Sequence, residues 1–385
     1  MKGWLSNRTF SLFFSGILTL QFAHLHAQNV LCDSLVNQIG VAAFKILCKE
    51  NPYDNVVVGP LGLALSYGAY FQSLTDQQTT KFFENNFAEL SEPHVFRQLM
   101  KMKSEAIRND DTIQSGISHI SFLVKRFVED AIVSPHFDCS DTMVNVSFET
   151  PAALHHELNK YLPVQHHHNG SVKVVDSDSS AAININFNDF SGLWQRGFDI
   201  SAEEDFFYAP ENRFKITYMN VAGRFRISGN DSFEALVIPY MDPNYCLIVY
   251  KPSLRNSLQQ MIEKISLEHL LLPLTKKRAM YFGNIQLPKI SINYAFNFNS
   301  ILRQISTAGH TQESRQQPSI QSEVKQIQSS SIIFHHAGGK VGDIFDKPTT
   351  RELNSFLVNR PFLYTIVNEK TSSIIYIGSV SQPTD

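Results

Sequence analysis

A polar stretch that is held at both ends constrains this chain most. Gly338–Asn359 carries three glycines, Pro348 and six charges between Lys340 and Glu352. No helical or strand period runs through it. Strand-like runs flank it: Ser331–Phe334 before, then Phe356–Val358, Pro361–Val367 (PFLYTIV) and Ser373–Val380 (SIIYIGSV). Inside a compact domain, roughly twenty residues without structure of their own mark either a working loop or disorder. Two buried-looking strands follow this one at once, so it is no tail. Any fold proposed for the chain must present it as a loop.

The rest of the chain divides by texture. Leu31, Leu35, Ile39, Ala43 and Ile46–Leu47 recur at helical spacing, so Leu31–Lys49 is read as an amphipathic helix with Asp33 in its first turn. A short strand at Asn55–Val58 stops at Gly59-Pro60, and helices are expected at Leu61–Phe71, Thr79–Phe87 and Pro151–Leu162. Gly116–Lys125, Met143–Phe148 and Ala182–Phe187 read as strands. From Phe214 onward the pattern is mostly β: Phe214–Met219, Arg224–Ile227, Glu234–Pro239, Cys246–Tyr250 and Met280–Ile292, interrupted by a helix at Ser253–Ile265. A helix-rich first half and a strand-rich second half, without repeats or a linker, point to α+β rather than parallel α/β. The 385 residues are 43% hydrophobic and 18% charged, enough to bury a large single core.

Residues 1–27 read as a secretory leader: Lys2 and Arg8, then apolar Phe10–Leu20, then a small residue at Ala27. The competing reading is a membrane anchor, but about eleven apolar residues fall short of the roughly twenty a span needs, and no later run is expected to come close. Removing Lys2 and Arg8 would take the formal charge from −3 to −5, which gives nucleic acid and anionic membranes nothing to bind. Arg97, Lys101, Lys103 and Arg108 could form a polyanion patch; with Glu105, Asp110 and Asp111 among them, a solvated helix face is the better reading. Cys32, Cys48, Cys139 and Cys246 allow three disulfide pairings. Cys32 and Cys48 lie about 24 Å apart on one helix and are not expected to pair. Asn145, Asn169 and Asn230 begin glycosylation acceptor triplets.

Enzyme motifs are missing. His156-Glu157 starts like a zincin helix, but Lys160 stands where the second His is needed. Gly116-Ile-Ser118-His-Ile lacks the second Gly of a nucleophile elbow. The vicinal histidines, 155–156, 166–168 and 335–336, have no Cys or carboxylate pattern beside them, so surface loops are favoured over a metal site. No catalytic residue, metal or cofactor is expected. Trp194 reads as core packing and Asn186 as a buried hydrogen-bonding residue that ties strands together.

Five further pieces occur in one order. They are Asn55-Val-Val-Val-Gly-Pro-Leu; Asn186, Phe190-Ser-Gly192-Leu-Trp194, Phe198 and Phe206; Ile238-Pro239-Tyr240; Leu287-Pro288-Lys289; and Arg360-Pro361-Phe362 with Gly378. Together they resemble the serpin family over essentially the whole chain after the leader. The resemblance implies a single domain over 28–385, with three β-sheets, eight or nine helices and a reactive-centre loop at about 338–359. It also implies a monomer whose partner is an extracellular serine protease. In inhibitory members the protease cuts the loop, which then inserts as a strand into the central sheet and releases stored strain.

Measured against that resemblance the loop is unusual. With Gly338 at the hinge, the family's two Glu become His336 and Ala337, and its small-residue run becomes Gly339, Lys340, Val341, Gly342, Asp343 and onward to Phe345 and Asp346. Burying an isolated charge in a filling sheet costs several kcal/mol, so the insertion trap is expected to be impaired. Counting back from Pro361 puts the scissile bond near Thr350, Arg351 and Glu352, with Arg351 a trypsin-like candidate. Gly59 and Gly62 stand where the family usually has Ser, and Ser329-Ser330-Ser331 where it has His-Lys-Ala. A secreted inhibitor with a slow trap is one reading; a non-inhibitory extracellular carrier of an unidentified ligand is the other.

Overall fold

In the computed structural model, the described residues are 31–72, 92–124, 142–146, 160, 182–208, 212–276, 279–307, 324–339 and 354–383. The chain opens with helix α1 (Leu31–Glu50), β1 (Val56–Val58), α2 (Pro60–Gln72) and α3 (Glu92–Ala106). β2 (Arg108–Asn109), β3 (Ile113–Val124), β4 (Thr142–Val146) and β5 (Ala182–Gly192) follow. Next come β6 (Asp199–Phe207), β7 (Arg213–Gly229), β8 (Phe233–Pro239), β9 (Tyr245–Pro252), α4 (Leu258–Lys264) and α5 (Leu267–Thr275). The last part holds β10 (Ala279–Pro288), β11 (Ile290–Asn297), α6 (Phe298–Thr307), β12 (Val324–Phe334), β13 (Asn354–Leu357), β14 (Phe362–Asn368) and β15 (Ser373–Val380). The helices expected over 79–87 and 151–162 lie outside the described residues.

The smaller sheet has the order β11-β12-β5-β3-β2, with β4 also on β3. Its centre is a parallel pair: β12 runs beside β5 from Val324 opposite Ala182 to Ile333 opposite Ser191. The larger sheet has the order β1-β15-β14-β9-β8-β7-β10-β13, and β6 adds to β7. It branches at β7, whose first half pairs β6 and whose last residues pair β8. The third layer implied by the resemblance is therefore an arm of this sheet.

Two expectations change here. Phe214–Met219 and Arg224–Ile227 form one 17-residue strand rather than two. The apparent break is a register shift in the β7–β10 ladder, opposite Phe282–Ile285. Gly223 sits there with φ +154°, and a Cβ on it would press on the Arg196 guanidinium. Met280–Ile292, read as one strand, is two strands in different sheets. The chain leaves the larger sheet at Pro288 and joins the smaller at Ile290, while the Lys289 N–H donates to Thr217 O at 3.0 Å.

Two apolar clusters hold these layers. One gathers α1, α2 and α3 against the helix-facing side of the sheets through Val36, Phe44, Leu47, Leu63, Leu65 and Leu99. The other lies between the sheets and is aromatic: Phe190, Trp194, Tyr218, Tyr240, Tyr364 and Tyr376. By length and composition α1 is apolar enough to cross a membrane, contrary to the expectation that no such run follows the leader. Val36, Ala43, Phe44 and Leu47 on it are buried in the first cluster, which is the behaviour of a core helix. Cys32, Cys48 and Cys246 are buried free thiols, so no disulfide joins them. Burial pushes the Cys32 and Cys48 thiols up to about 12.

The C-terminal hairpin that anchors the loop is packed without slack. Phe362, Tyr364, Tyr376 and Val380 are all buried. A Cβ on Gly378 would lie 2.5–2.7 Å from the Tyr364 ring and hydroxyl. Gly378→Ala is therefore expected to cost about 1–3 kcal/mol by overpacking, read as a lowered Tm with the fold retained. An unchanged Tm would show that Tyr364 can move aside.

Candidate functional site

The loop leaves β12 through residues 335–339, and these are docked rather than free. Phe198 N donates to His336 O at 2.9 Å, Trp194 N to Ala337 O at 3.1 Å, Gly339 N to Trp194 O at 3.0 Å and Gly197 N to Gly339 O at 3.1 Å. The Trp194 indole N–H donates to His335 O. The chain approaches so closely that only glycine fits. A Cβ at Gly338 would stand 2.6 Å from Trp194 O and 2.8 Å from Gly197 N, and one at Gly339 2.8 Å from Gln195 O. Trp194 supports the ladder from beneath. It stacks on Tyr240 at 4.5 Å and 10° and meets Phe198 edge-on at 5.4 Å. The core role expected for Trp194 is thus joined to a second one, holding the start of the loop.

Below this hinge a buried polar latch ties β5, β12 and the start of α2. Gly59 N donates to Gln328 Oε1, and Gln328 Nε2 returns a bond to Gly59 O, both at 3.0 Å. Gln328 Nε2 also reaches Asn186 Oδ1 at 3.3 Å, and Asn188 Nδ2 donates to the same oxygen at 2.6 Å. Asn186 Nδ2 points to Ser118 O at 3.4 Å, across β3. Asn186, Asn188 and Gln328 are at most 1% exposed. A Cβ on Gly62 would fall 2.0 Å from Asn186 Oδ1 and 2.5 Å from Asn188 Oδ1. Glycine at this position, where the resemblance suggests Ser, leaves room for the two amides. The bridging residue is Gln328, one position before the Ser329-Ser330-Ser331 expected to occupy this point. Strand alternation turns Ser329 and Ser331 to the other face.

Among the other residues singled out, Lys340, Val341, Gly342, Asp343, Thr350, Arg351 and Glu352 lie outside the described residues, as does Asn169. The segment 340–353 runs between two fixed points, Gly339 at the hinge and Asn354 at the start of β13. β13 pairs parallel with β10, so the last part of the expected loop is already strand. Val358 N donates to Gln286 O at 3.0 Å and Phe207 N to Asn359 O at 2.8 Å. Pro361 and Phe362 follow directly into β14. Asn230 sits exposed in the turn between β7 and β8, its Oδ1 accepting from Ser232 N at 2.8 Å and Phe233 N at 3.2 Å. Asn145 lies in β4, opposite Leu123. The basic cluster near α3 is largely paired: Lys101 with Glu105 at 3.9 Å, and Arg108 with Asp110 at 2.6 Å and Asp242 at 3.1 Å. Among the described residues no three His, Cys, Asp or Glu come together as a metal site would need.

Comparison with known proteins decides the family. The family model described as "Serpin (serine protease inhibitor)" matches residues 34–383. The chain belongs to the serpin family. The alpha-1-antiproteinase of Bos taurus is 25% identical over 387 residues, covering 93% of this chain and 90% of that protein. Uncleaved ovalbumin superposes with a TM-score of 0.74 at 17% identity, covering 91% of this chain and 100% of that one. Human thyroxine-binding globulin superposes at 0.76 with 13% identity, covering 93% and 100%. These structures share the fold of this serpin.

The docked hinge carries a titratable group. His335 is half-buried and its Nδ1 accepts from Ala337 N at 3.2 Å. Burial first, and the neighbouring His336 second, pull its pKa below 6.5. A His with a folded pKa below its free value contributes stability above the free value, and that stability is lost as pH falls through the folded one. Trp194 is one of two tryptophans, the other being Trp4. Its fluorescence is therefore expected to be constant above pH ~6.5 and to shift on acidification. In His335→Asn the shift should shrink; an unaltered shift in that variant would contradict the assignment.

Proposed function

We propose that this serpin is secreted, acts without catalysis of its own and offers residues 340–353 as bait to an extracellular serine protease, with strand insertion too slow for efficient trapping. The observation that carries the reading is the position of the hinge. β12 ends at Phe334, and Gly338 and Gly339 follow it, docked on residues 194–197 just past the end of β5. A strand turning back from there has β5 on one side and β12 on the other, antiparallel to both. If the protease cuts at Thr350-Arg351, residues 340–350 stay attached, long enough for the ten-residue ladder between β5 and β12.

The same register explains the slow trap. A strand buries every second residue on one face. One parity of the loop contains Lys340 and Asp346, the other Asp343 and Lys347. Neither face can enter without charge, and Pro348 has no N–H for the ladder. Opening the slot also breaks the Gln328 latch, leaving buried amides that each lose about 1–3 kcal/mol unless repaired. Secretion is supported by the leader-like 1–27 and by the exposed acceptor Asn230; the reading takes 28–385 as one domain and a monomer.

The test is cleavage of the loop with limiting trypsin, followed by a melt. Cleaved protein is expected to keep nearly the Tm of the intact form and to release the protease as a substrate would. Neutralising Lys340, Asp343, Asp346 and Lys347 together should then produce a raised Tm on cleavage and protease complexes stable in SDS. A large rise in the unmodified protein would overturn the slow-trap reading. A second reading, an extracellular carrier, is favoured by one observation, an open aromatic cavity beside Arg360.

A further inference from the structure

Large exposed aromatics gather around Arg360. Tyr53 is 78% exposed, Tyr208 41% and Phe207 36%. They come from the α1–β1 connection and the end of β6. With Pro252, Leu258 and Arg360 they line an open cavity of about 420 Å³. Cavities that hold small molecules span roughly 300–1,000 Å³ and combine apolar walls with a few polar groups. Exposed apolar patches of this kind mark binding surfaces.

Arg360 sets the chemistry. It is the one charged side chain among the described lining residues. One of its N–H groups donates to Pro252 O. No carboxylate among the described residues pairs with it. Glu234, the acid that faces it, is bound by Lys251 at 3.1 Å. Burial lowers its pKa from the ordinary value, and the charge of Glu234 only partly opposes that. A planar fork with free donors matches a carboxylate better than any other single-charged group.

We infer that this cavity binds a small amphipathic monocarboxylate, with its head on Arg360 and its aromatic or acyl body against Tyr53, Phe207 and Tyr208. A monoanion balances the one guanidinium, and the apolar walls exclude a hydrated polyanion. The inference names the ligand class of the carrier reading, and its failure leaves the loop test untouched because no cavity residue belongs to segment 340–353.

The experiment is calorimetric titration of the full-length secreted protein with 2-naphthoate and with laurate, using neutral 2-naphthamide as control. Saturable binding of at least one carboxylate is expected, with the amide weaker by about tenfold or more. Arg360→Gln should weaken carboxylate binding by a similar factor. Because Arg360 also bonds Pro252, Tyr208→Ala at the exposed rim serves as a second variant, and it should weaken binding with an unchanged melt. Absence of saturable binding by either carboxylate would overturn the proposal. So would carboxylate and amide binding equally, or binding unchanged in both variants.

Discussion

The parallel pairing of β5 with β12 is the joint on which the rest of this serpin depends. Ten residue pairs close it. On one side β3 backs β5, and on the other β11 backs β12. The joint is fastened by side chains as well as by backbone. Gln328 binds the peptide of Gly59 at both ends and reaches Asn186 on the facing strand. This places α2, β5 and β12 in one buried polar unit, so the sheet cannot part without disturbing the helix behind it. Buried amides of this sort cost little while satisfied and much when left open. The latch therefore acts as a threshold rather than a graded resistance.

The hinge stands at the upper end of the joint and shares its walls. Gly338 and Gly339 lie against the backbone of 194–197, and the indole of Trp194 spans from Tyr240 to the carbonyl of His335. A side chain at either glycine would push this contact apart. Under the proposed function, the loop that follows has to satisfy two opposed demands. As bait it benefits from charge and polarity, which keep it in water. As an inserting strand it would need small, uncharged residues on its buried face. Lys340, Asp343, Asp346 and Lys347 occupy both parities, which on that reading weighs against insertion.

Much of this was legible in the residues, and the gaps have physical causes. Period and turn signals located α1, β1, α2 and the C-terminal hairpin to within a few residues: α1 is apolar on one face, and the others are largely apolar runs ended by turn residues. The order of short pieces around Asn186, Trp194 and Pro361 pointed to the fold. The stretch between Met219 and Arg224 was read as a break between two strands because a bulge and a turn use the same residue, here Gly223. Lys289 hid the change of sheet, since a crossover without a turn leaves no sequence mark. Gln328 was missed because only the facing strand shows which of four adjacent polar residues points to the latch. The Arg360 cavity could not be read at all. Tyr53, Phe207, Leu258 and Arg360 are far apart in the chain, and nothing in their spacing announces that they meet.

Hydrogen exchange on the loop-cleaved protein tests the central claim most directly. The account predicts that the amides of β5 and β12 keep their mutual protection after cleavage, while those of residues 340–350 gain none. Protection appearing along 340–350 at the level of β5 would show a new strand between β5 and β12, and would contradict the claim that the latch and the charged loop hold the joint closed.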